Sequence, residues 1–224
     1  MSDPLILAVD TSTRASIVVL GGAEPRAVSR REVQHRHGSH LLEQIDEVLA
    51  EAGLSLAHIG ALGVGTGPGS FTGLRVGLAT LKTLAYAREL VVVGVRSSDA
   101  LRQAGIDAGA PPDAAVALPA GARDHYLAQV GEDPRLVAPG ELVEAVAGRP
   151  VLAVDMDAQL LGAEAARLGA AAVAAMPGAL LALARARLDA GESDDVATLT
   201  PAYVALPRGV KRAAEDLGWS PDLR

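Results

Sequence analysis

Residues 65–77 read GTGPGSFTGLRVG, five glycines and one proline in thirteen positions. No helix or strand interior holds that density, because glycine costs the most backbone entropy and proline removes an amide donor. The stretch must contain a tight turn. An apolar run at 61–65 precedes it and a helical pattern over about 70–88 follows, so the turn joins a strand to a helix N-terminus. Unpaired N–H groups and the positive end of the helix dipole collect there, with Ser70 placed to cap them. Such a terminus can hold a phosphate. The string nevertheless lacks the GxxxxGKS/T and GxGxxG patterns, and Ser70 sits in no GxSxG elbow. A close-packed strand–helix turn accounts for it equally well.

The helix that follows is apolar on more than one stripe: Leu74, Leu78, Leu81 and Ala85 form one, Val76, Ala79 and Thr83 another. A helix of that kind is buried on most sides. A sheet can cover one side, and the other calls for a second helix. Gly73 and Gly77, four residues apart, offer a close helix crossing.

Upstream, LILAVD (5–10), SIVVL (16–20) and the charged 26–33 read as three strands of an antiparallel meander. Ser39 offers a helix cap, followed by Leu41, Leu42, Ile45, Val48 and Leu49 at helical spacing, with Gly53 as the stop. A strand over 90–95 and a helix from Ser97 or Ser98 complete the order β-β-β-α-β-α-β-α. The second half repeats the style more weakly, with strands at 114–118, 125–130 and 151–155 and helices near 140–147, 158–168 and 178–190. Pro111-Pro112 marks a boundary, giving lobes at 1–105 and 106–207 and a polar tail at 208–224. A last short strand is expected in AYVAL, 202–206.

Composition narrows the function classes. With 224 residues and 50% hydrophobic content the chain can bury a core, built from Ala, Val, Leu and Ile because only five aromatics are present. So few aromatics exclude a base-stacking platform, and a formal charge of −7 opposes unaided nucleic-acid binding. The absence of cysteine excludes disulfides, thiolate metal sites and a Cys nucleophile. The first ten residues lack a signal-peptide pattern, and the uncharged run between Arg167 and Arg185 falls short of a membrane span. A cytoplasmic protein is expected.

Two small motifs have competing readings. Asp10-Thr11-Ser12-Thr13, at the turn between the first two strands, suits Mg²⁺ and a phosphate, or simply an Asx/ST turn closing a hairpin. His35, His37 and His40 invite zinc, but lack the HExxH pattern and a general-base carboxylate between them, so surface or helix-start histidines are expected.

Taken together, DTST after the first strand, His37 before the first helix, and the string containing Gly67, Pro68, Gly69, Ser70, Phe71, Thr72, Gly73 and Arg75 resemble the TsaB (YeaZ) family. The likeness is strongest over 5–100 and continues through GVRSSDAL, 94–101. AYVALP at 202–207 resembles a late family segment, with Ala205 where Arg is usual. The resemblance implies an actin-like, ribonuclease-H-like α/β fold of two lobes, each a mixed sheet flanked by helices. It also implies a non-catalytic partner of the transferase TsaD, working with the ATPase TsaE to make threonylcarbamoyladenosine beside the anticodon of tRNAs that read codons beginning with A. Such a protein holds no metal and reaches tRNA only through the complex.

An actin-like nucleotide site needs an acidic hairpin from each lobe. The second-lobe hairpin, 116–126, carries Pro119-Ala120-Gly121 where relatives have Asp-Ala-Arg. No intrinsic cofactor is therefore expected, and any ATP or ADP contact at Asp10, Thr11, Ser12 and Thr13 is vestigial or shared at a partner interface. The apolar faces of the two N-lobe helices, carrying Leu41, Leu42, Ile45, Leu49, Gly73, Leu74, Gly77, Leu78 and Leu81, are expected to pair with a TsaD-like subunit, or with a second copy when that partner is absent. The competing readings are a free-standing ATPase or kinase of the same fold and a glycoprotease-like metallopeptidase.

Overall fold

The computed structural model describes residues 4–32 and 37–204. Two mixed sheets form the frame. In the first, the order is β3-β2-β1-β4-β5, from β1 (Leu5–Asp10), β2 (Ala15–Gly21), β3 (Pro25–Glu32), β4 (Ile59–Gly65) and β5 (Val91–Val95). The second, β8-β7-β6-β9, contains β6 (Ala115–Ala120), β7 (Asp124–Ala128), β8 (Arg135–Val137) and β9 (Val151–Ala153). Each begins with an antiparallel meander whose first strand also pairs in parallel with a later one, β1 with β4 and β6 with β9. The two lobes thus share one plan, an actin-like, ribonuclease-H-like architecture.

Helices fill three layers. Outside the first sheet lie α1 (His37–Glu51) and α2 (Phe71–Arg88), over a core that includes Leu7, Val9, Leu62, Ile45 and Leu81. Between the sheets lie α3 (Ser97–Asp107) and α6 (Ala163–Asp189), packed along each other. The short α4 (Leu142–Ala145) and α5 (Ala158–Leu161) belong to the second lobe. In β1, Leu7 and Val9 face the outer core while Ile6 and Ala8 face the central one. This two-sided burial is why LILAVD reads as an unbroken apolar run rather than an alternating one.

Several expectations are corrected. The helices expected at 158–168 and 178–190 are instead the single turn of α5 and one 27-residue helix with Pro177 inside it. Proline costs an interior helix roughly 3 kcal/mol, but α6 is apolar and buried along much of its length between the sheets, and that burial outweighs the lost amide bond. Gly169 is not a break either: it lets α6 approach β9 so closely that a Cβ there would overlap the Ala153 carbonyl. By length and composition α6 could cross a bilayer, yet it serves as a core helix packed on both sheets. Helix α1 starts at His37, before the expected cap at Ser39. Strand β8 was not expected, and residues 202–204 form no strand while 205–206 lie outside the described residues.

Residues 192–203, expected in the second lobe, return to the first. The Asp194 N–H donates to Val92 O (2.9 Å), Lys82 Nζ donates to Ala197 O and Leu199 O, and the Ala202 N–H donates to Thr66 O (2.8 Å). Val196 and Leu199 pack on the outer core. This strap, the sheet and α1 together bury α2 on most sides.

The expected interface leucines are therefore mostly core. Leu41, Ile45, Leu49, Leu74, Leu78 and Leu81 are all at most 5% exposed, whereas Leu42 is 56% and Tyr86 84% exposed. Gly73 and Gly77 do not meet a helix. A Cβ at either would overlap Thr11, from the turn after β1. Accordingly, Leu78→Glu should abolish cooperative thermal unfolding, because an unpaired carboxylate would be buried at a cost of several kcal/mol. Leu42→Glu should shift stability by less than about 0.5 kcal/mol. Equal melting of the two variants would overturn this assignment of the inner and outer faces.

Candidate functional site

The ends of β1, β4 and β5 converge at the mouth of the cleft between lobes. Asp10 ends β1, Gly65 ends β4, and Ser97 opens α3 just after β5. The Asp10 carboxylate is completely buried. Its Oδ1 accepts from the Ser12 N–H (2.8 Å) and the Ser12 hydroxyl (2.6 Å), and its Oδ2 accepts from the Ser97 hydroxyl (2.5 Å). Ser97 Oγ in turn accepts from the Gly67 N–H (2.9 Å), and the Ser97 N–H donates to Gly67 O (2.8 Å). Burial raises the Asp10 carboxyl above its ordinary 3.8, outweighing the hydrogen bonds from Ser12 and Ser97 that oppose the shift.

The other hairpin residues are equally occupied. The Thr11 hydroxyl donates to Gly73 O (2.7 Å) at the start of α2. Ser12 O accepts from the Ser70 N–H (2.7 Å). Thr13 Oγ1 accepts from the Ala15 N–H (3.1 Å). The glycine-rich turn makes this contact possible, since a Cβ at Gly65 would overlap the Asp10 carboxylate and one at Gly69 the Ser12 carbonyl. Gly67, at φ +102°, uses backbone freedom as well, and Pro68 is buried beside it. Ser70 caps α2 as its position predicts, its Oγ accepting from the Gly73 N–H (3.1 Å).

Between the lobes remains a cavity of about 420 Å³, lined among others by Ser12, Thr13, Ser70, Phe71, Tyr126 and Asp155. Leu118, Pro119 and Gly121 form its second-lobe wall, and the β6–β7 turn adds no carboxylate to the lining. The second-lobe acid is Asp155, just past β9, whose Oδ2 accepts from the Arg14 N–H (2.6 Å) across the cleft. Burial raises its carboxyl, and the Glu32 charge adds to the rise against the contribution of Arg14. Burial likewise lowers His125 and raises Tyr126.

At the outer rim, the Arg75 guanidinium lies 3.7 Å over the Phe71 ring and donates from Nε to the Tyr203 hydroxyl (3.0 Å). Tyr203 tilts against Phe71 at 5.5 Å, so the strap ends on the family string. Thr72 is exposed on the first turn of α2. His37 opens α1, and His35 lies outside the described residues. Among the described residues no cluster of three His, Asp or Glu side chains is placed to hold a metal.

Ser97, Tyr203 and Asp155 were not anticipated as site residues. Asp155 had a signal: LAVD occurs at 7–10 and again at 152–155. Ser97 and Tyr203 reach the site through non-local contacts that no short pattern encodes.

The family model described as "TsaD: tRNA N6-adenosine threonylcarbamoyltransferase" matches residues 6–167. A Haemophilus influenzae relative named tRNA threonylcarbamoyladenosine biosynthesis protein TsaB is 35% identical over 130 residues, 58% of this chain and 55% of that protein. The Escherichia coli protein of the same name is 32% identical over 141 residues, 63% of this chain and 61% of that one. The matched segment thus spans a little over half the length of these curated relatives. The solved structure "YeaZ from Pseudomonas aeruginosa" superposes with TM-score 0.68 at 25% identity, covering 89% of this chain and 99% of that one.

The raised Asp10 carboxyl has a pH signature. The native state keeps this proton to higher pH than the unfolded chain does. Its contribution is therefore fully present below about 3.8 and is lost as pH rises through the raised native value. In urea unfolding from pH 3.5 to 8, the stability of the unaltered chain relative to Asp10→Asn should fall as pH rises, since other titrations cancel in the difference. A pH-independent difference would show that Asp10 is not shifted.

Proposed function

Because the chain belongs to the TsaD family, and within it to TsaB (YeaZ), we propose that it is a non-catalytic partner subunit in threonylcarbamoyladenosine formation on tRNA. In this reading it acts in the cytoplasm as activator and scaffold for a TsaD-like transferase, together with a TsaE-like ATPase, and meets tRNA through that complex. It brings no nucleotide or metal of its own, and any ATP or ADP it touches is shared with a partner.

The observation that carries the non-catalytic reading is the state of Asp10. A carboxylate that served Mg²⁺ and phosphate would face the cleft with free lone pairs. Here it is sealed beneath the glycine-rich turn, with both oxygens accepting from Ser12 and Ser97. Asp155, a cleft-lining carboxylate of the second lobe, accepts the Arg14 amide. Among the described residues lining the cavity, Asp155 is the carboxylate, and Asp10 is sealed beneath the turn. Among the described residues no cluster of side chains favours the metallopeptidase reading.

For pairing with the transferase, and for self-pairing in its absence, we assign the outer surface of α1 and α2. The candidate contacts are now the exposed Leu42 and Tyr86, in place of the leucines buried beneath them. A buried aromatic at the centre of an interface is worth about 2 kcal/mol or more. Tyr86→Glu together with Leu42→Glu should keep the melting temperature, weaken capture of the TsaD-like protein by roughly thirtyfold or more, and leave tRNA modification low in a strain depleted of the native chain. Full capture and full modification by the folded variant would place the partner elsewhere. ATP turnover by the purified chain, abolished by Asp10→Ala, would overturn the non-catalytic reading.

A further inference from the structure

The two edges of the first sheet are treated differently. At β5 the open edge is closed by the chain itself: the Asp194 N–H donates to Val92 O, the Gly94 N–H donates to Asp194 Oδ2 (2.6 Å), and Arg187 Nη1 donates to Gly94 O (2.6 Å). Arg187 also pairs with Asp194 (2.7 Å), fixing that cap in place. The opposite edge, β3, is eight residues long, and no described strand pairs with its outer side. In an antiparallel pair alternate residues direct their N–H and C=O away from the partner, so β3 presents a row of unpaired backbone groups.

The side chains along that edge are not neutral. Ala27, Ser29 and Arg31 share the face toward α1, paired with Leu20, Val18 and Ser16, and Arg31 is engaged by Glu43 and Glu47. On the opposite face Val28 and Arg30 stand beside Val19 and Ile17, and both are exposed, Val28 to 40%. Arg26 is exposed at the register shift that begins the strand. Neither Arg26 nor Arg30 forms an ion pair among the described residues. Glu32 ends the same face, close enough to Asp155 to act on its carboxyl, so the basic stretch is confined to Arg26–Arg30. There, in a chain of net charge −7, two guanidiniums without an ion pair among the described residues flank an exposed valine on an open strand edge.

We propose that β3 is a docking edge for an extended, acidic segment of a partner protein, added beside it as a sixth strand. Backbone hydrogen bonds would supply the attachment, and alternating positions of the incoming strand the selectivity. Carboxylates would face Arg26 and Arg30, with a small apolar residue beside Val28. A second copy of this chain is the poorer fit, because its overall negative charge comes with the same basic strand. The proposal does not depend on the α1–α2 surface or on the subunit reading, and Arg26 and Arg30 belong to neither site.

The probe is a blocked peptide of about nine residues alternating Glu and Val, a strand length typical of sheets, with a Lys-for-Glu version as control. Amide hydrogen exchange of the intact chain is followed with each. The acidic peptide should slow exchange in residues 26–32, and the basic one should not. Arg26→Glu together with Arg30→Glu should leave the melting curve unchanged and weaken acidic-peptide binding about tenfold, the scale of two exposed charge pairs. Absence of protection with millimolar acidic peptide would overturn the proposal. So would equal protection by the basic peptide, which would indicate a non-specific edge. Salt-sensitive protection of the same residues by unfractionated tRNA, displacing the peptide, would make the strip a nucleic-acid surface instead. Protection that grows with protein concentration and no peptide would make it a self-association edge.

Discussion

The contact between the Asp10 turn and the glycine-rich turn is the interaction on which the rest of the first lobe is arranged. It joins the carboxyl ends of three strands that are far apart in sequence. Asp10 receives Ser12 from its own turn and Ser97 from the start of α3, while Ser97 holds Gly67 from the turn after β4. Thr11 then reaches the first turn of α2. Each joint needs backbone where other residues carry a Cβ, which is why Gly65, Gly69, Gly73 and Gly77 occupy the positions they do. Substituting any one pushes a methyl into the Asp10–Ser12 segment or its threonine, and every element rooted there moves. In open α/β sheets the carboxyl ends of the strands are where a ligand ordinarily sits. Here the chain's own carboxylate, hydroxyls and amides bond to one another at those ends, beside the cavity of about 420 Å³.

How far the sequence revealed this depends on how local each feature is. The strand–turn–helix at 59–88 was legible because glycine, proline and a capping serine act on their own neighbours. The three-strand meander was legible from β-branched runs between turns. The partner of Gly73 and Gly77 was not legible. Helical spacing says only that a close approach occurs on that face, and a neighbouring helix and the Thr11 turn satisfy it equally well. Leu74, Leu78 and Leu81 posed the same problem, because periodicity marks an apolar face without saying what covers it. Leu78 and Leu81 join β1, β4 and α1 in the outer core, and Val196 and Leu199, more than a hundred residues downstream, pack against that core on the strap that Lys82 holds. Pro177 misled for a related reason. Its local rule is sound for an exposed helix, but α6 is braced by sheets on both sides.

The central layer decides how the cleft can behave. One apolar cluster runs from Ile6 and Ile17 in the first sheet through Leu101 in α3 and Met176 in α6 to Val116 and Leu152 in the second sheet. Lobes that share a large hydrophobic core do not move independently, whereas those meeting through small polar contacts do. Helix α6 adds to this, since it packs on β9 at Gly169 and on β1, β2, β4 and β5 further along. Across the mouth, the Arg14 amide on Asp155 closes the gap directly. At the carboxyl ends of the first sheet the acid is sealed, the lobes share a core, and the Arg14–Asp155 bond bridges the rim beside the cavity of about 420 Å³. Among the described residues, features that the chain's own packing leaves uncovered include Leu42 and Tyr86 on the outside of the first lobe and the open edge of β3. An exposed apolar pair and an open strand edge both gain from being covered, so these outer faces are physically suited to contacts with other molecules.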